Sequence, residues 1–354
     1  MSSLPEDIIV DITSRLPVKS ILRFRCVCKP WCKLFSGPEF VKMHLKHVVE
    51  KKKFNLMITD GGNLYLLDHD SLSSLSFVTK CNKGTAIDYP YKTQNYIVEI
   101  LGSCNGLVCI NPDKYVICIW NPSTKEYKKL PTLEQLEFIP TYLSYRITFG
   151  FGYNCNIEDY KLVRITAGSN RSEVMVYSLG SNTWKRIQDI RYNPCYGEQL
   201  GVLVNGALHW IASFWMCSKG SIALEVVLVS FDIGNETFKE VPFPEQLNDK
   251  KFHKTVGELG GCLCLLSHVY EVVFVDVWVM KDYGVKESWT KLFTIVQSSV
   301  TRPSACLRLL QTFENGDILL KRCSKTLISY DLKHERGRVL KIPGIRIRYF
   351  KTET

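Results

Sequence analysis

Two cysteines and two histidines near the N-terminus come close to the spacing of a zinc site. In the pattern C-x3-C-x11-H-x2-H they are Cys28, Cys32, His44 and His47. Thiolate and imidazole are the ligands that zinc prefers, but this histidine pair is one residue closer than the usual interval. Pro30 and Trp31 stand where the metal-binding turn would form, and no C-x2-C pair occurs in the chain. We therefore expect no metal here.

The search for catalytic motifs gives no stronger signal. Gly150-Phe151-Gly152 begins like a dinucleotide-binding loop, but the third glycine is missing and no β-α-β unit follows, so a strand and turn are expected. The H-E-x-x-H, G-x-S-x-G and phosphate-loop signatures are absent. We expect a protein that is not an enzyme and has no cofactor. A shallow site built from residues distant in sequence stays open, with no motif in its favour.

The cysteine and histidine pairs lie in a segment with helical periodicity. Ile8, Ile9, Ile12 and Leu16 recur at helical spacing and predict one apolar face. Pro17 ends this first helix, because a residue before proline is pushed out of the helical region. Residues 21–27 predict a second helix, and residues 30–35 predict a third. Three short helices in about 35 residues are too small to form a stable core alone.

From residue 54 onward, short β-branched and aromatic runs alternate with turn residues, which predicts strands. A unit of roughly 45 to 55 residues recurs, a period typical of propeller blades. Its first half is a glycine turn followed by an apolar strand, at 60–67, 103–110, 204–211, 259–266 and 314–321. Its second half is a strand, a polar turn and a strand, at 119–131, 176–187, 230–242, 276–292 and 329–343. We predict an all-β propeller of about six blades over 54–350, after a basic linker or helix at 46–53.

An aromatic residue recurs at a fixed offset after the turn of the second half-unit. These residues are Tyr127, Trp184, Phe238 and Trp289. A repeated offset of this kind favours packing between blades over a ligand-binding cage.

Composition and charge place the protein in a broad class. Many of the 14 cysteines of this 354-residue chain sit in apolar runs such as residues 106–110 and 261–266, which favours reduced core thiols. No apolar run reaches the ~18 residues of a membrane span, and acidic residues follow Pro5 where a secretory signal would be apolar. We expect a cytoplasmic or nuclear protein. Residues 1–53 carry a net charge of +6 and residues 321–354 carry +7, leaving −3 for the remainder.

Residues 4–41 resemble the F-box, and the later units resemble the F-box-associated, kelch-like domain of plant F-box proteins. The F-box resemblance is carried by Leu4-Pro5, the Ile8 and Ile12 face, Leu16-Pro17-Val18-Lys19-Ser20, Ile21-Leu22 and Val27-Cys28-Lys29-Pro30-Trp31. The propeller resemblance is carried by the segments GSCNGLVCI, IWNPSTKEYKKLP, FGFGYNCNIEDYKLVRI and VLVNGALHWIA. The expected fold is a multidomain α+β chain: a three-helix F-box over 1–45, then the propeller.

The resemblance implies a function without bond chemistry. In the family, the F-box binds the Skp-type adaptor of an SCF ubiquitin ligase and, through it, a cullin, while the propeller holds a target protein for ubiquitination and degradation. The positions that correspond to the family's adaptor-facing residues are Leu4, Pro5, Ile8, Leu16, Pro17, Val27, Cys28, Lys29 and Trp31. An orphan three-helix module with an apolar stripe is also expected, on physical grounds, to need a covering partner.

Target recognition is expected on the longer loops that carry aromatic side chains, at 85–96, 132–145, 189–199 and 213–221. The candidate residues are Tyr89, Tyr91, Phe138, Tyr142, Tyr192, Tyr196, Phe214 and Trp215. Each could instead fill a gap between blades.

Two other functions stay open at this point. The protein could bind the adaptor as a scaffold without promoting degradation. It could also bind RNA through its basic ends, which predicts an affinity that falls steeply with salt. The charge of −3 on the body argues against RNA, and no membrane role is expected.

Overall fold

The computed structural model of the chain describes most of its length. The described residues are 5–50, 54–68, 84–93, 96–132, 147–168, 171–194, 200–218, 221–247, 252–269, 272, 274–296, 307–313, 315–322, 326–340, 342 and 349–353.

Four helices precede the sheets in the described part of the chain. They are α1 Glu6–Ser14, α2 Val18–Arg25, α3 Lys29–Ser36 and α4 Pro38–Glu50. Pro5 and Pro17 directly precede the first two helices as N-cap residues, and Pro30 lies in the first turn of the third, where the fixed φ of proline suits a helix. The fourth helix occupies most of the stretch for which the sequence predicted a basic linker or helix. Among these helices, none is both long and apolar enough to cross a bilayer.

The apolar face predicted for α1 is divided between its two sides. Ile9 packs against the small helical core, whereas Ile8 and Ile12 are 44% and 52% exposed. The inward side is completed by Thr13, whose hydroxyl donates to the Ile9 carbonyl at 2.6 Å. The prediction of a single face for Ile8, Ile9, Ile12 and Leu16 is therefore wrong, because α1 presents apolar side chains both to its own core and outward.

Within the described residues, 24 strands form six four-stranded antiparallel sheets. The first three sheets contain β1 Asn55–Asp60, β2 Asn63–Leu67 and β3 Thr85–Ile87; β4 Glu99–Cys104, β5 Leu107–Asp113, β6 Val116–Trp120 and β7 Tyr127–Lys129; β8 Ile147–Asn154, β9 Asp159–Thr166, β10 Glu173–Ser178 and β11 Thr183–Arg186. The other three contain β12 Val202–Val204, β13 Ala207–Ser218, β14 Ser221–Asp232 and β15 Thr237–Val241; β16 Phe252–Leu259, β17 Cys262–Val269, β18 Phe274–Met280 and β19 Trp289–Val296; β20 Leu307–Thr312, β21 Ile318–Arg322, β22 Thr326–Asp331 and β23 Arg336–Leu340. The last strand, β24 Tyr349–Glu353, joins the first sheet.

The last strand closes the sheets into a ring. β24 pairs antiparallel with β1, from Asn55 opposite Glu353 to Thr59 opposite Tyr349. The innermost strands of neighbouring sheets contact one another in the cyclic order β24, β4, β8, β12, β16, β20 and back to β24. Such radial repetition leaves only short, protected sheet edges. The predicted all-β propeller of six blades behind a small helical module is confirmed.

Interfaces between blades hold the core, and glycines make room at one of them. Trp210 is fully buried between the third and fourth blades. A Cβ on Gly150 would lie 2.7 Å from the Trp210 ring, and a Cβ on Gly201 would lie 2.6 Å from it. Gly150, which belongs to the pattern similar to a nucleotide-binding loop, therefore allows the Trp210 indole to pack, because only glycine leaves space for it.

Two of the recurrent aromatic residues connect neighbouring blades by hydrogen bonds. The Trp184 indole Nε1 donates to the Pro131 carbonyl at 3.0 Å, and Trp289 Nε1 donates to the Pro242 carbonyl at 2.9 Å. Each acceptor lies just after the fourth strand of the preceding blade. The predicted packing role is confirmed for these two positions.

We expect Trp289→Phe to lower the free energy of unfolding by about 1–2 kcal/mol, since the Pro242 carbonyl loses its donor while most of the ring packing remains. Equilibrium urea unfolding measures the loss. The matched control is Trp215→Phe at an exposed site, where a change within about 0.5 kcal/mol is expected. Equal effects of the two substitutions would contradict a stabilising bond at this interface.

Candidate adaptor face and substrate loops

The helical module has its own small core. Ile21, Phe35 and Phe40 are buried at its centre. Trp31 and Phe24 pack edge to face with ring centroids 5.6 Å apart, a favourable aromatic geometry. With only three buried apolar residues among those described, this core is small for a stable module, so surface partners matter for it.

Several residues of the predicted adaptor face are uncovered in the isolated chain. Pro5, Pro17, Cys28 and Lys29 are exposed. Ile8 is 44% and Val27 63% exposed. Leu16 and Trp31 are partly buried because they also pack against the module's core. Leu4 lies outside the described residues. An exposed row of apolar side chains on α1 and at the α2–α3 connection is what a helical partner would cover.

The four residues with zinc-like spacing are not grouped together, and His44 has another role. A His44 ring nitrogen lies 2.9 Å from the Leu16 carbonyl and ties α4 to the end of α1. The His44 ring also stacks on Phe40 at 6.2 Å, while Cys28 and Cys32 are exposed. Over the described ranges, no three His, Cys, Asp or Glu side chains are grouped to hold a metal.

Strand connectivity gives the propeller two distinct ends. In the second to sixth sheets, the first strand is joined to the second, and the third to the fourth, at one end, which we call the helix end. The chain enters β1 from α4 at this end, because β1 is the second strand of its sheet. Connections between second and third strands, and from one blade to the next, lie at the opposite end, which we call the loop end.

An ion pair joins α4 to the helix end. Lys42 Nζ lies 2.6 Å from Glu158 Oε1, and Glu158 belongs to the β8–β9 turn. The hydrogen bond with Glu158 raises the pKa of the Lys42 amine. Both side chains are largely exposed, so the pair adds little stability.

Two of the predicted substrate loops meet at the loop end. Tyr192, after β11, and Phe214, on β13, pack edge to face at 5.9 Å. The Arg191 guanidinium lies 4.5 Å from the Phe214 ring centroid and pairs with Glu240 at 2.7 Å. The Tyr192 hydroxyl donates to the same Glu240 oxygen at 2.8 Å. Burial raises the pKa of the Tyr192 hydroxyl, and the hydrogen bond to Glu240 also raises it, by a smaller amount. These contacts position the two aromatic rings against each other.

The β13–β14 hairpin extends beyond its sheet at this end. β12 pairs only with residues 207–209, and β15 only with residues 228–232, while β13 and β14 pair along twelve residues each. Antiparallel pairing continues from Ser213 opposite Val226 to Ser218 opposite Ser221, which at ~3.4 Å per residue reaches roughly 20 Å past the blade. Trp215 is 66% exposed on this projection. A large exposed aromatic on a supported ribbon suits partner recognition.

The remaining predicted substrate residues have different locations. Tyr89 is buried, and its hydroxyl donates to the Gly62 carbonyl at 2.7 Å, so it supports the loop instead of being displayed. Burial raises the Tyr89 pKa to about 12. Tyr91 is exposed next to Tyr127. Phe138, Tyr142 and Tyr196 lie outside the described residues.

Sequence reasoning missed the two polar residues that organise the aromatic pair. Arg191 and Glu240 are 49 positions apart in sequence and meet only because neighbouring blades adjoin. Arg191 directly precedes Tyr192 in a loop rich in aromatic residues, which is the one local signal that could have identified it.

Comparison with known proteins agrees with this architecture. The F-box domain family model matches residues 1–43, and the model of the F-box associated beta propeller domain matches residues 45–352. The chain is 32% identical to F-box protein CPR1 of Arabidopsis thaliana, an alignment that covers 97% of this chain and 85% of that protein. It is 28% identical to the Arabidopsis thaliana F-box/kelch-repeat protein At3g23880, covering 94% and 91%.

The combination of an F-box with a propeller is that of a substrate adaptor of the SCF type, in which the F-box binds a Skp-type adaptor and the propeller binds a substrate. Members of the F-box family are in general adaptor subunits and not enzymes. Both modules are present here in one chain, with the helices at one end of the propeller and the displayed aromatic residues at the other. The chain therefore belongs to the plant F-box proteins that carry an F-box-associated β-propeller.

Proposed function

We propose that this protein is the substrate-recognition subunit of an SCF-type ubiquitin ligase that promotes ubiquitination and degradation of a target protein. Its F-box binds the Skp-type adaptor, which links it to a cullin. Its loop end binds the target. The observation that supports this most directly is the uncovered apolar surface at Ile8 and Val27, on a helical module too small to be self-sufficient.

The two-ended geometry suggests how such a receptor works. The chain passes from the F-box helices into β1 at the helix end, where Lys42 pairs with Glu158, while Tyr192, Phe214 and Trp215 are presented at the loop end. A target held there stays near the ligase that the F-box recruits, so the effective concentration of its lysines near the charged enzyme rises. No bond-making step by this chain is required.

The proposal is tested by proximity labelling under proteasome inhibition, with the wild type and a Trp215→Ala variant. Targets of the loop end should be labelled by the wild type, be ubiquitinated in a cullin-dependent manner, and lose roughly tenfold or more of their labelling with Trp215→Ala, the range of an exposed aromatic hot spot. Adaptor co-purification should stay unchanged, since Trp215 lies on a hairpin at the opposite end from the F-box.

A scaffold role predicts a different result for the same labelling experiment. Labelled partners would bind both chain and adaptor, yet their abundance and ubiquitination would not respond to cullin inhibition. That outcome would reject the degradative function and leave the adaptor role intact.

A further inference from the structure

The outer part of the interface between the first and second blades, which we call a seam, differs from the two seams that Trp184 and Trp289 connect by hydrogen bonds. Tyr127 is the first residue of β7, the fourth strand of the second blade. Trp184 and Trp289 hold the corresponding positions in the fourth strands of the third and fifth blades. Each of the three lies opposite a large side chain of the neighbouring third strand, and for Tyr127 this side chain is Trp120. Trp289 is 8% exposed and hydrogen-bonded to the preceding blade, whereas Tyr127 is 55% exposed. A position used elsewhere to stabilise a seam is here left open to solvent.

The ring that Tyr127 contacts is itself held in a constrained backbone. Tyr91 packs edge to face on Tyr127 with centroids 5.6 Å apart and is 42% exposed. Its φ of +58° is in the left-handed region, which is uncommon for a bulky residue and is retained only where neighbouring contacts enforce it. Those contacts are the Tyr89 hydroxyl to the Gly62 carbonyl and the Lys92 amine to Asn63 Oδ1 at 2.9 Å. Tyr91 is thus displayed on a fixed loop.

Two lysines flank the tyrosine pair, and neither is paired with a carboxylate of the described residues. Lys129 Nζ lies 5.8 Å from the Tyr91 ring centroid, and Lys92 follows Tyr91 in the chain with its amine 5.7 Å from the Tyr89 centroid. Among the described residues, neither amine has an Asp or Glu within salt-bridge distance. We call Tyr91, Lys92, Tyr127 and Lys129 the seam patch. It combines two exposed aromatic rings with two amines that have no carboxylate partner within the described part of the chain.

We propose that the seam patch is a docking surface for an acidic segment of the target protein, in which Asp or Glu side chains flank an aromatic or aliphatic residue. Carboxylates would pair with the two amines, and the apolar residue would pack on the exposed tyrosine rings. The inference rests on the proposed function, since it names the class of target that the receptor takes.

The charge pattern around the seam patch favours a protein segment over RNA. Aromatic rings with lysines also suit single-stranded nucleic acid, but that ligand needs a basic track that follows its backbone. Here Asp88 and Glu126 adjoin the patch in sequence, and the chain between its basic ends carries a net charge of −3. Lys125 and Lys128 also lie nearby in sequence, but these acidic residues interrupt the basic ones, so the local charge is mixed and suits separate carboxylates better than a continuous phosphate backbone.

The test selects ligands from a displayed library of random peptides of about 12 residues, panned on the full chain in complex with a Skp-type adaptor. Enriched peptides should carry Asp or Glu around an aromatic or aliphatic residue. Fluorescence anisotropy with the most enriched peptide should show at least about tenfold weaker binding to Lys92→Gln/Lys129→Gln, and weakening by added salt. The matched control, Lys281→Gln/Lys333→Gln, removes two exposed lysines outside the patch and should bind as the wild type does.

Three results would overturn the proposal: enrichment of neutral or basic peptides, equal affinity of the wild type and Lys92→Gln/Lys129→Gln, or displacement of the peptide by an oligouridylate that binds more tightly with a steep salt dependence. Adaptor co-purification is measured on the same preparations. If the adaptor complex does not form, the proposed function fails, and panning on the chain alone still decides whether the seam patch binds acidic peptides.

Discussion

The double substitution Ile8→Asp/Val27→Asp is expected to weaken binding of a Skp-type adaptor at least about 100-fold. Both side chains are exposed in the isolated chain, so the change places two charges where the proposed interface would bury apolar surface. A cost of ~3 kcal/mol corresponds to a hundredfold change in Kd. Isothermal titration calorimetry with purified adaptor measures it. Because neither residue belongs to the buried core, circular dichroism should show the same fold as the wild type.

The matched control puts the same charge on exposed apolar residues of the propeller. Leu292→Asp/Val339→Asp changes residues that are 47% and 42% exposed on β19 and β23. We expect its adaptor affinity to equal that of the wild type. If the control weakens adaptor binding as strongly as Ile8→Asp/Val27→Asp, the interface does not lie on the F-box face.

Removal of residues 349–354 is expected to lower the free energy of unfolding of the propeller by on the order of 5 kcal/mol, roughly a third or more of the stability of a typical domain. Without β24, all five paired residues of β1 lose their partners and the ring opens at its inner strand. Leu56 and Ile58, fully buried on β1, would become accessible at a sheet edge. Equilibrium urea unfolding, followed by tryptophan fluorescence, measures the loss.

Deleting residue 354 alone leaves β24 whole and is the control for shortening the chain. A synthetic peptide with the sequence of residues 349–354, added in excess to the truncated protein, should restore part of the stability by filling the vacant strand position. Unfolding of the truncated protein at the wild-type urea midpoint would show that β24 does not close the ring.

Much of the fold could be predicted because it repeats. Most blades carry a glycine turn before an apolar strand and a polar turn later, so several weak signals reinforce one another. Asn105-Gly106 and Asn205-Gly206 take the positive φ that their turns require, which is why this pair is a dependable marker. The F-box pattern was equally informative, since Leu-Pro pairs and the Cys-Lys-Pro-Trp run occur together in a short segment.

What the sequence did not reveal depends on contacts between distant segments. Periodicity placed Ile8 and Ile9 on one face, but neighbouring residues on a helix differ by 100°, and the position of α2 and α3 decides which one is buried. The repeat predicts a packing aromatic at Tyr127, but Tyr127 is 55% exposed where Trp289 is 8% exposed, and the sequence pattern does not distinguish the two positions. The Arg191–Glu240 pair joins separate blades, so no local pattern encodes it.

Hydrogen–deuterium exchange of the full chain, with and without a saturating Skp-type adaptor, tests most directly whether the helical module is completed by a second polypeptide. The account predicts fast exchange in α1 and at the α2–α3 connection in the chain alone, and slowing by at least about tenfold when the adaptor is added, with the propeller sheets unchanged. Strong protection of residues 5–31 in the absence of adaptor, or no change on its addition, would contradict the account.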